Sequence, residues 1–449
     1  MVKKILVFML CVSMLIGLLA GCGSSGTSSD DKADDVNAGS STGTDNNKEP
    51  VTITFWAPNE QNEQFYKEAV AEFEKQNPNI KVETTMLPSI NTEIDTKLNA
   101  AKLSGTYPDV FVAYLLFIGT RGSKGEFAPL DDYVSKWADK DDILDSAYNS
   151  GKYEGKLLGL GFFPAPMLMV YRKDYFEEAG LDPNKPPTNW NELKEYAIKL
   201  TKKDASGKLV RAGWDIPIQS GTFLQTMVRQ NGGLYIDEEK QYPALDDPKA
   251  IEALKFAVDM YNTIGGFPYS YNKLEEVPFI QGKSAISAMN ITWLNNLFKE
   301  KPDLRGKIDI VPPLVGYSGD KKSAFNGYRY YTIGNDSKHK DEAWKLIEFM
   351  MGKEWLWKNY KEYFVPVVRK SLQNDFVSDL NNQQLNGKAL LEYVEYGHGE
   401  AITPWTSIVN RYAEQAYQEA ISNNKTPEQA LKDAQKAAVD DLRKNGLIK

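Results

Sequence analysis

Cysteine is nearly absent from the chain: only Cys11 and Cys22 occur, and no cysteine follows them. The chain beyond Cys22 therefore has no disulfide, no thiolate metal ligand and no thiol nucleophile, so its stability must come from packing. Histidine is equally scarce, with His339 and His398 the only two. This scarcity argues against most metal centres and most acyl-transfer sites, which depend on imidazole groups.

A basic surface is missing as well. The chain has 53 Lys and Arg against 61 Asp and Glu, a net charge of −8, and no cluster of basic residues stands out. Nucleic-acid binding needs basic side chains opposite the phosphates, so we expect no nucleic-acid partner. The 449 residues are 42% hydrophobic and 25% charged, which is typical of a globular chain with room for two domains.

The N-terminus has the pattern of a secretory signal peptide. Residues 1–4 form a short basic start with Lys3 and Lys4, and residues 5–20 form an apolar run that only Ser13 and Gly17 interrupt. This run is short for a membrane-spanning helix, which needs about 20 apolar residues. We therefore interpret residues 1–21 as a signal peptide.

Leu19-Ala20-Gly21-Cys22 resembles the bacterial lipobox, in which the cysteine receives a lipid and becomes the new N-terminus. The resemblance implies a lipid anchor at Cys22, and the alternative is an ordinary signal peptide with an incidental cysteine. The segment that follows is rich in Gly, Ser, Thr, Asp and Asn and too poor in apolar residues to fold. We interpret residues 22–50 as the lipidated cysteine and a disordered tether.

Strand and helix patterns alternate from residue 51 onward. Residues 51–56, 80–86 and 109–114 have strand patterns. One amphipathic helix lies between the first two, and a second is predicted to be capped by Ser89, with Ile90, Ile94, Leu98 and Ala101 inward and its end at Gly105. Further helices are predicted at 174–179, 190–201, 248–264 and 337–351, with a strand at 307–311. The alternation predicts a doubly wound α/β architecture.

Several segments, in order, resemble the family-1 extracellular solute-binding proteins of ABC sugar importers, the relatives of maltodextrin-binding protein. The segments that carry the resemblance are Val51 to Asn59, Tyr107-Pro108-Asp109-Val110, Gly151-Lys152-Tyr153-Glu154-Gly155-Lys156, Tyr171-Arg172-Lys173-Asp174-Tyr175-Phe176, Pro187-Thr188-Asn189-Trp190, Phe279-Ile280-Gln281-Gly282-Lys283-Ser284-Ala285 with Trp293, and residues 338–350. One departure is Gly161, which stands where the family usually has proline.

The resemblance implies a periplasmic-binding-protein type II fold, with two doubly wound lobes and an interlobe hinge. Residues 51–161 and 317–366 would form lobe I, and residues 162–316 and 367–449 would form lobe II with the C-terminal helices. It also implies a monomeric receptor that captures a sugar or oligosaccharide by lobe closure and delivers it to the transmembrane permease subunits of an ABC transporter, without a cofactor, a metal or catalysis.

Two other functions remain open. A secreted carbohydrate-active hydrolase or lyase needs only two well-placed carboxylates, which 61 acidic residues cannot exclude. A sugar-sensing receptor for a signalling kinase would have the same sequence features as a transport receptor.

A sugar site needs aromatic rings for the apolar ring faces and fixed polar groups for the hydroxyls. In open α/β sheets, ligands bind beyond the carboxyl ends of the strands, and this position selects candidates in the implied fold. Most aromatic residues must instead belong to the cores, and His398 is a further, weaker candidate. The predicted ligand-binding residues are Trp56, Asn59, Glu60, Tyr114, Phe162, Phe163, Trp214, Asp215, Asn290, Trp293, Asn326, Tyr328, Arg329 and Trp405.

Overall fold

The computed structural model describes residues 50–60, 62–218, 220–269 and 274–449. The predicted signal peptide, the lipidation of Cys22 and nearly all of the predicted tether lie outside the described residues. Within the described part of the chain, no helix combines the length and the apolar character that crossing a bilayer would require.

Short strands and helices follow one another along the described chain. The strands are β1 (Val51–Pro58), β2 (Ile80–Leu87), β3 (Val110–Tyr114), β4 (Lys152–Tyr153), β5 (Lys156–Leu157), β6 (Leu160–Arg172), β7 (Lys202–Lys203), β8 (Leu209–Arg211), β9 (Ile236–Asp237), β10 (Tyr242–Pro243), β11 (Ile286–Asn290), β12 (Ile308–Val311), β13 (Ala324–Ile333) and β14 (Gly397–His398). The helices are α1 (Glu63–Gln76), α2 (Asn91–Ser104), α3 (Leu115–Gly122), α4 (Asp131–Lys136), α5 (Asp145–Asn149), α6 (Lys173–Glu178), α7 (Trp190–Leu200), α8 (Gly221–Gln230), α9 (Pro248–Ile264), α10 (Ile291–Glu300), α11 (Lys340–Met350), α12 (Lys353–Tyr363), α13 (Gln373–Asn382), α14 (Gly387–Glu395), α15 (Thr406–Ile421) and α16 (Pro427–Lys444). Short 3₁₀ turns lie at Lys140–Asp142, Leu274–Glu276, Pro302–Leu304 and Lys370–Leu372.

One sheet connects most of these strands, in the order β11-β6-β13-β3-β1-β2, with β12 on β6 and β14 on β13. Strands β1, β2 and β3 are parallel, while β13 runs antiparallel to both β3 and β6. All five residues of β3 are buried, as expected for a strand covered on both faces.

Strand β6 belongs to both halves of the sheet. Its first half, from Leu160 to Pro166, pairs with β13, and its second half, from Met167 to Arg172, pairs with β11 and β12. The chain therefore passes from one half to the other without leaving the strand.

The apolar residues form three buried clusters, and these define two lobes. The first cluster surrounds β1, β2, β3 and the first half of β6, and we call this part the first lobe. The other two lie on opposite faces of the second half of β6, because Met169 and Tyr171 point into one while Leu168 and Val170 point into the other. We call this sandwiched part, with α6–α10 and α13–α16, the second lobe.

The α/β architecture with two lobes thus confirms the predicted fold class, and the residue boundaries of the lobes stay a prediction. One local prediction is wrong. Helix α2 begins at Asn91 with Ile90 in the cap position, so Ser89 does not cap it, and Ile90 is exposed to solvent rather than inward. Ile94, Leu98 and Ala101 are buried as expected, and Gly105 ends the helix in the left-handed conformation.

Candidate functional site

Four of the predicted residues meet at the carboxyl ends of β1 and β3. Arg329 of β13 lies opposite both Tyr114 of β3 and Phe163 of β6 in the strand register. Its guanidinium carbon lies 4.3 Å from the centre of the Tyr114 ring and 5.4 Å from that of Phe163. Glu60, two residues beyond β1, completes this cluster.

Hydrogen bonds join the charged side chains of Glu60 and Arg329 and the hydroxyl of Tyr114. The Nη2 and Nε atoms of Arg329 donate to the two carboxylate oxygens of Glu60 at 2.7 and 3.2 Å, and the Tyr114 hydroxyl donates to Oε1 at 3.0 Å. Burial, with the nearby Glu60 carboxylate as the second cause, raises the pKa of Tyr114. The half-buried ion pair therefore presents a fixed polar surface beside two aromatic rings, which is a suitable wall for a hydroxylated ligand.

A cavity of about 390 Å³ is lined by Leu115 and Tyr328, the sequence neighbours of Tyr114 and Arg329, and by none of the four residues described above. The first lobe contributes Leu115, which directly follows β3, together with α5 and Tyr328 of β13. The second lobe contributes Arg229 of α8 and Glu238, which follows β9. The complete lining consists of Leu115, Asp145, Ser146, Asn149, Ser150, Arg229, Glu238, Tyr328, Glu395, Gly397, His398, Gly399, Glu400 and Ile402.

The segment that carries β14 lines the cavity where the two lobes meet. Gly397 and His398 pair with Ala324 and Phe325 at the start of β13. A Cβ atom on Gly397 would lie 2.4 Å from the Cβ of Asn326, so only glycine permits this close approach. Asn326 is consequently fully buried beneath β14, while Tyr328, two residues later, reaches the cavity.

Two polar contacts position the residues of the lining. The hydroxyl of Tyr328 lies 2.9 Å from the Oγ of Ser146, which joins β13 to α5. On the opposite side, Nη2 of Arg229 donates to the backbone oxygen of Gly399. The Nε atom of Arg229 is buried and has no hydrogen-bond partner among the described residues.

Burial shifts the pKa values of four titratable groups of the lining. Burial raises the pKa of Tyr328. It lowers the pKa of Arg229, although a guanidinium stays charged at neutral pH. It raises the pKa of Glu400, against the opposing effect of Arg229. Burial also lowers the pKa of His398, and the positive charges of Arg229 and Lys321 lower it further, so His398 is neutral at pH 7.

Of the predicted ligand-binding residues, Tyr328 lines this cavity, and the structure places the others elsewhere. Trp214 is fully buried in the second lobe against Phe223 and Phe256, with ring centres 5.5 and 6.0 Å away. Trp405 is 3% exposed in the same cluster. Phe162 stacks on Tyr331 at 3.9 Å within the first cluster. These positions favour packing roles for the three rings.

Asp215 is also internal, with 2% of its surface exposed. Its Oδ2 accepts a hydrogen bond from the Ser287 hydroxyl at 3.1 Å, and burial raises the pKa of its carboxyl to about 7. Asn290 caps α10 by accepting a hydrogen bond from the backbone N–H of Trp293 at 2.8 Å, and Trp293 is half-buried on the third cluster.

Trp56 lies on β1 and Asn59 follows that strand, directly before Glu60. Trp56 is half-buried on the first cluster, and Asn59 is exposed while its backbone N–H donates to the oxygen of Leu87 at 2.8 Å. Ligand contact by the residues outside the cavity stays a prediction.

Sequence reasoning missed most of the charged lining. Asp145, Arg229, Glu238, Glu395 and Glu400 come from three separate parts of the sequence, and none follows a predicted strand of the sheet. The available signal was the glycine pair around His398, which already made that histidine a candidate. The described residues contain no group of three or more His, Cys, Asp or Glu placed to hold a metal ion.

Residues 57–356 match the model of a family described as bacterial extracellular solute-binding protein. The arabinooligosaccharide-binding protein of Bacillus subtilis is 28% identical over 360 residues, which cover 78% of this chain and 77% of that relative. The sn-glycerol-3-phosphate-binding periplasmic protein of Escherichia coli is 22% identical over 413 residues, which cover 85% and 90% of the two chains. The sugar-binding protein MalE of Xanthomonas citri has a similar structure, with a TM-score of 0.78 and 21% identity over 88% of this chain and 98% of the other.

Proposed function

Because this chain belongs to the family of bacterial extracellular solute-binding proteins, we propose that it captures a sugar or oligosaccharide between its lobes and delivers it to an ABC permease. The observation that carries this proposal is the shared lining of the cavity. Leu115, Ser146 and Tyr328 come from the first lobe, whereas Arg229 and Glu238 come from the second. One ligand in this cavity would contact both lobes at once.

The size and chemistry of the cavity suit a short oligosaccharide. Its volume of about 390 Å³ falls within the range of about 300–1,000 Å³ that is usual for small-molecule sites. Hydroxyl, carboxylate and guanidinium groups of the lining can each bind sugar hydroxyls, and charged groups make the stronger bonds. Leu115 and Ile402 add apolar surface for the C–H faces of the rings.

Lobe closure follows from the energetics of such a ligand. A ligand that contacts both lobes stabilises the closed arrangement by its difference in affinity between the closed and open forms. The shared strand β6 keeps the lobes connected while their relative angle changes. The permease would then recognise the closed form.

A lipid anchor at Cys22, with residues 23–50 as a tether, would hold the receptor near that permease. A diacylglyceryl group contributes two acyl chains at about 0.8 kcal/mol per buried CH₂, which is enough for stable anchoring. Mass spectrometry of the membrane-extracted protein tests the anchor, because the proposal requires the mass of a lipid on a new N-terminal Cys22.

Calorimetry and scanning fluorimetry against a panel of neutral oligosaccharides test the receptor function. A ligand at 100 times its Kd should stabilise the folded protein by about 2.7 kcal/mol and raise its Tm. Small-angle scattering should show a smaller radius of gyration with the same ligand. Release of reducing ends during incubation would indicate the hydrolase instead, and binding without closure would contradict the two-lobe mechanism.

A matched pair of variants tests whether the ligand binds in the cavity. Tyr328→Phe removes the hydroxyl that reaches the cavity, so it should weaken sugar binding by about 1 kcal/mol, or roughly fivefold. Tyr331→Phe makes the same change three residues along β13, outside the lining, and serves as the control. Equal affinities of both variants and the unchanged protein would remove Tyr328 from the site.

A further inference from the structure

The charged groups that line the cavity are strongly unequal in sign. Asp145, Glu238, Glu395 and Glu400 contribute four carboxylates, and Arg229 contributes one guanidinium. Among the described residues of the lining, carboxyl groups therefore outnumber guanidinium groups by three, although burial raises the pKa of Glu400. A bound ligand therefore enters a region of negative potential.

The guanidinium of Arg229 already interacts with other groups of the protein. It is half-buried, it donates to the backbone oxygen of Gly399, and the carboxylates of Glu238 and Glu400 supply the charges that stabilise it. An anionic ligand would have to share this guanidinium with those two carboxylates and would also face the carboxylates of Asp145 and Glu395.

Two lysines near the cavity do not reverse this balance. Lys370 Nζ lies 3.7 Å from the Oδ1 of Asp145 and offsets part of its charge, and water screens both groups because the two side chains are 48% and 87% exposed. Lys321 lies close enough to affect His398 but is not part of the lining.

We propose that the cavity selects its ligand by charge: it accepts sugars that are uncharged or carry an amine, and it rejects sugars that carry a carboxylate or a phosphate. This inference rests on the proposed function and names the substrate class of the same site. It separates the chain from the relative named for sn-glycerol-3-phosphate, whose ligand is an anion.

The expected loss of affinity for an anionic sugar follows from Coulomb's law. Repulsion between like charges near a protein surface is large enough to change a Kd by about tenfold. Several carboxylates act on the same ligand charge, so an anionic sugar should bind at least about tenfold more weakly than its neutral counterpart. Salt at about 1 M shortens the Debye length to about 3 Å and should shrink this ratio.

The test uses three forms of maltotriose, mannotriose and arabinotriose that differ only in charge at the opened reducing end. These are the alditol, the aldonate and the 1-amino-1-deoxyalditol, each titrated calorimetrically at 0.15 M and 1 M NaCl. The expected order of affinity is the amine first, the alditol equal or next, and the aldonate at least tenfold weaker at the lower salt concentration.

Two variants then test whether the weaker binding of the aldonate comes from the carboxylates of the lining. The double variant Asp145→Asn and Glu395→Gln should reduce the aldonate-to-alditol ratio of Kd values to about threefold or less. Asp303→Asn, whose carboxylate is 74% exposed and outside the lining, should leave the ratio unchanged.

The outcomes are distinct. If the alditol binds and the aldonate binds equally well, charge selection is refuted while the receptor function stands. If the aldonate is weaker but the double variant keeps the full ratio, the discrimination does not come from these carboxylates and the assignment is refuted. If no form of any trisaccharide binds, the proposed function fails and the inference fails with it.

Discussion

The buried carboxyl of Asp215 leads to a specific prediction about stability and pH. Its pKa is about 7 in the folded protein, against an ordinary value of 3.8, because the folded second lobe removes it from water. The hydroxyl of Ser287 partly offsets this effect by donating to the carboxyl. Between these two values the folded protein holds a proton that the unfolded chain has released.

The sign of the pH effect follows from this difference in bound protons. Where the folded state binds more protons, the free energy of unfolding falls as the pH rises. Each pKa unit corresponds to about 1.36 kcal/mol, so stability should fall by about 3 kcal/mol between pH 5 and pH 8 through this one group. The loss should be complete slightly above pH 7, where the folded carboxyl also ionises.

Asp215→Asn removes the titrating group and keeps an oxygen that can accept from Ser287. Urea unfolding at pH 5, 6, 7 and 8 should show that this variant loses about 3 kcal/mol less than the unchanged protein over that range. Asp303→Asn, at an exposed position, is the control and should keep the full dependence on pH. Parallel curves for Asp215→Asn and the unchanged protein would refute the assignment of a raised pKa to this carboxyl.

Two further substitutions test local features of the fold by the same unfolding assay. Asn290→Ala should lower the free energy of unfolding by about 1 kcal/mol, since it removes the cap of α10. Asn290→Ser keeps a capping oxygen and should lose little stability. Equal losses in the two variants would show that the cap is not the cause. Gly151→Ala should cost about 3 kcal/mol, because a Cβ there would lie 1.8 Å from the backbone oxygen of Gly159. Gly221→Ala, with no atom nearer than 3.6 Å, should change stability by less than about 1 kcal/mol, and a similar cost at both positions would contradict the steric explanation.

Elements determined by local periodicity were predictable from the sequence. Helix α9 spans Pro248–Ile264 as expected, because proline at the first turn and glycine after the last are local signals. Helix α2 ends at Gly105 for the same kind of reason. Its start was misplaced because Ser89 is a good capping residue by type, yet the helix begins one residue further on.

The candidate site was less predictable because it depends on distant pairings. The sequence nominated Glu60, Tyr114 and Arg329, since each lies at the end of a strand or opposite one in the sheet, and the structure brings the three into contact; their contact with ligand stays a prediction. Trp214 and Trp405 could not be assigned, because a tryptophan has the same sequence signature in a core and in a cleft. Arg229 and Glu238 lie in the second lobe and meet the first only through the long-range packing of α8 beside β13.

The central place of β13 affects how the chain can fold. This strand fills the gap between β3 and β6, and the hydroxyl of Thr332 donates to the Phe111 oxygen across a separation of 221 residues. The second lobe is completed later still, since its buried cluster includes Leu442 near the C-terminus. Neither half can assemble during early synthesis, and such long-range closure makes folding slow. A nascent chain that stops before Ala324 should therefore stay unfolded and sensitive to proteases.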